Sequence, residues 1–339
     1  MAGSIRRQAR AWLAAVRPGR DNAGPRAFLA GGARILVLES GRLTGGQVIE
    51  GCLLVRGDLV CGPGCSFRGP VYVAGHVELG KNSAALSLEC DGDLRLGSGA
   101  EVLEFAVATG SMELRAGSRV HGEARSEASI RLGPGASGRD LLAPLVATGA
   151  PEVDVEQPLR RAGDTGPGVV LPPPGEPFSA AMLFAAGIEI SRLRPDGSGG
   201  WLYHGDLLLQ RPVILKSPLR VTGSIGCFDG SLIEADLRAG GSVALGARCV
   251  SRGTLTSGGD MSLGPGCVFQ RDLCCRQMMR LESGVRGLRS GAPVSVWANG
   301  ELTVGPDVKI RGRIASACRV VTEQPAPAAR LPVAVMRMR

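Results

Sequence analysis

Apolar and polar residues alternate along this chain in short runs, and Gly interrupts the runs at a near-constant interval. "VYVAGHVEL", "LSLEC", "DLRL" and "SMEL" each place every second residue on one face. Alternation with period two predicts short strands with one buried face. Gly at the ends of the runs predicts sharp corners between them.

The runs recur as frames. In the second half, frames open at Gly205, Gly223, Gly241, Gly259 and Gln277, 18 residues apart throughout. "GSVALG" opens the frame at Gly241 and "GDMSLG" the one at Gly259. A further frame opens at Gly300, after a short insertion near "RSGAP". In the first half, frames open at Gly57, Gly75, Gly92, Gly110 and Ala128, with spacings of 18, 17, 18 and 18. A second Gly recurs twelve residues into several frames, at Gly69, Gly122, Gly253 and Gly312.

Three short strands fill one frame. At ~3.3 Å per residue a turn has a perimeter of roughly 60 Å. A stacked coil demands a constant period, because equivalent residues must lie over one another about 4.8 Å apart. The expected fold is therefore all-β: a parallel β-helix, or β-solenoid, with about 18 residues per triangular turn. In this frame Val243, Leu245, Cys249, Met261, Leu263, Cys267, Leu281, Leu94 and Leu96 stack inward, and Ser262 points out.

Five segments follow: a basic N-terminal segment over 1–34, a first β-helical block over 35–145, a Pro/Gly-rich linker over 146–204, a second block over 205–318 and a tail over 319–339. Within the linker, "FSAAMLFAAGIEISRL" (Phe178 to Leu193) predicts a helix of about four turns that caps a coil end or packs along a coil face.

Composition fits a thin core closed by many turns. The 339 residues include 51 Gly, and aromatics make up only 4%. The net charge of +8 sits in the tails: +6 over residues 1–34 and +3 over 319–339. The nearly neutral body argues against a nucleic-acid groove. In "SIRRQARAWLAAVR", Ile5, Trp12, Leu13 and Val16 recur at helical spacing, with Arg6, Arg7 and Arg10 on other faces. That pattern suits an anionic membrane surface, or a helix capping the first coil. No apolar run is long enough to span a bilayer and no secretory leader is evident, so the expected location is cytoplasmic, with the N-terminal helix as the candidate for peripheral membrane contact.

Ten Cys raise the question of disulfides or metal. Cys65, Cys249 and Cys267 share one frame position, and Cys61 and Cys227 another. Both positions point inward, where Cys packs as a small apolar residue. No C-x-x-C pair accompanies a His cluster, so no metal and no cofactor is expected. "CC" at Cys274–Cys275 places one thiol in and one out.

The string "IEADLRAGGSVALGARCVSRGTLTSGGDMSLGPGCVF", Ile233 to Phe269, resembles the bactofilins, polymer-forming cytoskeletal proteins of bacteria. "VIEGCLLVRGDLVCGPGCSFRGPVYVAGHVELG", Val48 to Gly80, resembles them too. The resemblance implies a right-handed triangular β-helix that polymerises end to end without nucleotide, often at the inner membrane face. The implied partners are further copies of itself, other bactofilins and cell-envelope proteins. This chain departs from the family pattern in having two blocks rather than one.

No catalytic site stands out. His76, His121 and His204 fall at different frame positions. Hexapeptide acyltransferases also use a coil with six-residue sides and a catalytic His, and His121 with Glu123 is the best base of that kind here. Polysaccharide lyases and hydrolases need clustered groups on one face; Asp91 and Asp93 read instead as turn residues around Gly92. "GPGC" is a coil corner rather than a phosphate cradle.

The expected function is thus a noncatalytic scaffold acting through its coil ends, where an uncapped coil presents unpaired backbone groups and an open apolar core. The ends are expected near Val48, Leu53 and Val55 and near Val304, Val308 and Ile310, with Trp297 close by. The alternatives are an acyltransferase and a capped monomeric adaptor for cell-envelope or motility partners.

Overall fold

The computed structural model describes residues 2–15, 26–30, 33–149, 168–288 and 292–323. The fold is a parallel β-solenoid of about 15 turns with ~18 residues per turn. Strand register follows the sequence frames. Leu59, Val77, Leu94, Met112 and Ile130 lie over one another in the first block. Leu207, Ile225, Val243, Met261, Met279 and Leu302 do so in the second. On either side of the insertion near Gly291 the stack keeps its register, with Val296 over Leu273 and Leu302 over Met279. All nine residues expected to stack inward are buried, while Ser262 and Cys274 are half-buried on the outer surface.

Two corner columns explain the Gly pattern. The eighth frame position is left-handed: Gly64 has φ +71, Gly99 +68 and Gly266 +67, and the non-Gly residues Asn82, Arg248 and Asp307 occupy the same column at +54, +56 and +55. The column of second glycines is set by close approach. A Cβ on Gly253 would stand 2.1 Å from the Ala235 carbonyl oxygen, and one on Gly69 2.1 Å from that of Gly51.

The second frame position carries a ladder of side-chain acceptors. Asp58 Oδ1 accepts from the backbone N–H of His76, His76 Nδ1 from that of Asp93, and Asp93 Oδ1 from that of Ser111. In the second block Asp206, Ser224, Ser242 and Asp260 do the same for Ser224, Ser242, Asp260 and Met278. At these positions a corner N–H that finds no strand partner is satisfied by a side chain of the turn before it.

The two blocks form one stack. Ser137–Thr148 and Lys309–Thr322, the last turns of their blocks, pair antiparallel along all three sides. Ser137 lies opposite Val321, Leu141 opposite Ile314 and Val146 opposite Ile310. The blocks therefore meet C-terminal end to C-terminal end.

The coil extends past the borders expected from sequence. Val146–Thr148 complete the first block over Ile130–Leu132. Val169–Leu171 and Leu193–Pro195 belong to the outer end of the second block. The helix expected over 178–193 is much shorter. Helix α2 (Ala180–Ala185) is capped by Ser179, whose hydroxyl accepts from the Met182 N–H, and the chain turns at Gly187, φ +88. A 3-10 turn, Ile190–Arg192, and the strand Leu193–Pro195 follow. The turn at Gly187 lets Leu183, Ala186 and Ile188 drop into the core as a plug.

At the other end, helix α1 (Ala2–Ala15) lies on the coil flank, and strand β1 (Arg26–Ala30) pairs antiparallel with β2 (Ala33–Leu38). The flank under α1 is apolar on its outer side. Val37, Leu54 and Tyr72 stack in register there and, with Ile35 and Ala9, form a second small core.

Candidate functional site

The molecule has three places where coil ends meet something, and they differ in what satisfies them. The seam is closed. Ile310, Val308 and Val304 are 0%, 1% and 1% exposed. These three were expected at a free polymer end; Val146 and Thr148 of the first block close over Ile310 and Val308 instead, and Thr322 of the second block lies over Val304. Thr148 is central to the closure. Its N–H donates to the Val308 carbonyl, its hydroxyl donates to the Gly305 carbonyl at 2.8 Å, and the same oxygen accepts from the Val308 N–H at 2.9 Å. On the rim, Arg313 holds Asp140 through two parallel hydrogen bonds, and this pairing raises the Arg313 pKa further.

The outer end of the second block is plugged. Trp201 Nε1 donates to the Pro172 carbonyl at 2.6 Å, and Phe178 meets the Trp201 ring edge-on. Below the plug Tyr203, Leu207, Leu209, Val213 and Leu215 are all buried.

The outer end of the first block carries β1 on β2 and, among the described residues, is open on its other two sides. Strands β3 (Gly41–Leu43) and β4 (Val48–Ile49) pair only with the turn behind them, with no outer partner among the described residues. The first-turn residues that point inward, Leu36, Leu38, Leu43 and Ile49, pack on the core yet stay only partly buried, and Val48 is 52% exposed. Leu53 and Val55, expected here as interface residues, lie one turn deeper and are fully buried core. Trp297, also expected near an end, stands on a side face with its Nε1 donating to Asn299.

The residues expected to touch a membrane divide similarly. Trp12 and Leu13 pack on the coil flank. Arg10 donates to Asp91 at 2.8 Å and to the Tyr72 hydroxyl at 3.2 Å, while Tyr72 itself donates to Asp91. These three side chains are engaged by the protein, because the coil beneath them offers an apolar patch and a carboxylate. Burial and the bond to Asp91 push the Tyr72 hydroxyl up to about 12. Ile5, Arg6 and Arg7 lie in α1, but their side chains fall outside the described set, as does Val16. Among the described residues no helix is long and apolar enough to cross a membrane.

The histidines stand apart. His76 belongs to the corner ladder. His121 is exposed, with Nε2 3.9 Å from Glu101 in the turn below, so its nearest acid is not the Glu123 expected from sequence. His204 is exposed at a third corner. Among the described residues no group of three His, Cys, Asp or Glu is placed to hold a metal ion.

The buried thiols hydrogen-bond to corner carbonyls one turn back: Cys65 to Thr44, Cys249 to Phe228 and Cys267 to Gly246. Burial pushes Cys61 up to about 12 and Cys52 and Cys275 up to about 11. The bond with Cys249, then burial, pushes Cys267 far up as well. The raised thiols, Cys52, Cys61, Cys267 and Cys275, are held protonated, which suits packing and disfavours nucleophilic chemistry, while the bond from Cys267 lowers Cys249.

Sequence reasoning did not find the seam. Its signal lies in "LLAPLVAT" and "KIRGRIASACRVVT", the two stretches where corner signals thin out and strands of 12 and 14 residues follow. No family model, curated protein or solved structure matches this chain.

Proposed function

We propose that the protein is a noncatalytic, bactofilin-like scaffold: a rod that joins a second copy of itself end to end through the open first turn of the first block. The observation that carries this reading is the contrast between the coil ends. One end pairs inside the chain, one is plugged by residues 169–195, and one leaves β3, β4 and a ring of half-buried apolar side chains facing outward.

The seam supplies the physical precedent. There, two coil ends of this same sequence satisfy each other's backbone groups and close one core. Two copies meeting at the first turn would do likewise, removing an edge and an apolar rim from water at once. Such a contact is isologous, so it closes after two copies. The plug at the far end stops further growth, and the assembly is a double-length rod rather than an endless filament.

Light scattering during gel filtration tests this. The reading expects twice the chain mass of 35.0 kDa, and a single-chain mass for Ile49→Lys, which places a charge on the joining face. A wild-type protein that stays monomeric at high concentration would instead favour the capped adaptor. A threefold mass with binding of an acyl donor would favour the acyltransferase. Membrane attachment through Trp12 and Leu13 is not part of this reading, since both pack on the coil.

A further inference from the structure

The outer faces of the coil treat charge in two ways. On one face of the first block Glu78, Arg95, Glu113 and Arg131 follow one another in register, one per turn. Each charge there lies beside an opposite one, as cross-strand pairing favours. The second block does the reverse on one of its faces. Arg220 lies directly over Arg238, in register on adjacent turns. Thr256, Cys274 and Trp297 continue the same outward column.

Like charges about 4.8 Å apart destabilise a ladder. Among the described residues neither Arg220 nor Arg238 is paired with a carboxylate, nor is Arg276, which stands at the adjoining corner. Asp236 and Asp272, two residues before Arg238 and Cys274 of this column, each accept a backbone N–H from the next turn, Thr254 and Ser295. The three guanidinium groups and the Trp297 ring line one groove of about 670 Å³. Its floor is low because Gly240 and Gly258 hold the corner between Thr222 and Arg276, where a Cβ would strike the backbone of the turn behind.

We propose that this groove binds a linear acidic polysaccharide, a chain of uronic-acid sugars lying along the coil axis. Carboxylates spaced one per sugar ring meet Arg220 and Arg238, one coil rise apart, and Arg276, two turns further along at the adjoining corner, each through a bidentate pair. A sugar ring lies on the exposed face of Trp297. Binding relieves the repulsion between Arg220 and Arg238 that the free protein bears. Among the described residues no Asp or Glu lines the groove, so the site holds the chain without cutting it. The proposal is independent of how the rods join.

The test uses the full-length protein, a hexamer of galacturonic acid, a neutral cello-hexaose and a single-stranded oligothymidylate. Titration is followed by calorimetry and by indole fluorescence. The acidic hexamer should bind, quench Trp fluorescence and weaken as salt rises, while the neutral hexamer should not bind. Arg238→Ala and Trp297→Ala, both at exposed side chains, should each weaken binding at least tenfold with unchanged thermal unfolding. The proposal is overturned if the acidic hexamer fails to bind, if those variants bind it as wild type does, or if oligothymidylate binds as tightly through the same residues.

Discussion

Thr148 and Thr322 make matching contacts from opposite sides of the seam. Thr148 lies over Leu132 and donates its hydroxyl to Gly305; Thr322 lies over Val304 and donates its hydroxyl to Gly133. Gly133 and Gly305 hold the same frame position in their blocks, as do Ala136 and Val308, whose carbonyls accept the Thr322 and Thr148 N–H groups. The chain thus joins its two coils about a local pseudo-twofold axis.

Thr148→Val should be the more damaging of the two matched substitutions. It strands the buried Val308 N–H, which donates to that hydroxyl, and should cost about 1–3 kcal/mol. Thr322→Val removes a donor to carbonyls only and should cost about 1 kcal/mol or less. Urea unfolding midpoints of the two variants would check the order.

Arg248→Gly should stabilise the coil. Arg248 sits at φ +56 in a column that Gly fills in most turns, and a left-handed L-residue costs roughly 1–2 kcal/mol. The greater freedom of Gly in the unfolded chain offsets part of this, so a gain of about 0.5–1 kcal/mol is expected. Gly253→Ala should do the opposite by about 1–3 kcal/mol, since its methyl group would meet the Ala235 carbonyl. Thermal unfolding of both variants reads the two signs.

Stability should fall on the alkaline side. The thiols of Cys61, Cys52 and Cys275 are raised above the ordinary value of 9.0, to about 12, 11 and 11. Groups raised in this way contribute fully below pH 9 and lose their contribution as pH climbs through the folded values. Denaturant midpoints should therefore be flat from pH 7 to about 8.5 and drop steadily from about 9 towards 12. Cys61→Ala should shallow that slope even where it lowers the midpoint at pH 7.

Tyr72→Ala should free helix α1 while leaving the coil folded. It removes the largest side chain under the helix and the hydroxyl between Arg10 and Asp91. Hydrogen exchange over Ala2–Ala15 should rise to that of an unprotected peptide, with exchange in the second block unchanged.

Periodicity made the coil legible because every turn repeats the same demands. Met261 and Leu263 must point in, Gly266 must turn left-handed, and Gly253 must leave room for a carbonyl. The insertion before Gly300 was visible for the same reason. The ends were not legible, since a residue's place in a frame says nothing about what lies beyond the last frame. Ile310 reads as an inward residue whether water, a partner or Val146 covers it. The α1 stripe was ambiguous in the same way: Trp12 and Leu13 suit lipid or protein alike. One clue was present in "CLLV", Cys52–Val55, where alternation fails because both faces of the strand are covered.

The most direct measurement of the central claim is the length of negatively stained particles. About 15 turns at ~4.8 Å make one molecule roughly 70 Å long. Uniform rods of about twice that length, shortened to single length by Ile49→Lys, are what joining at the open first turn predicts. Filaments of unlimited length would show that the plugged end also joins, and rods of single length at high concentration would show that neither does; either result contradicts the account.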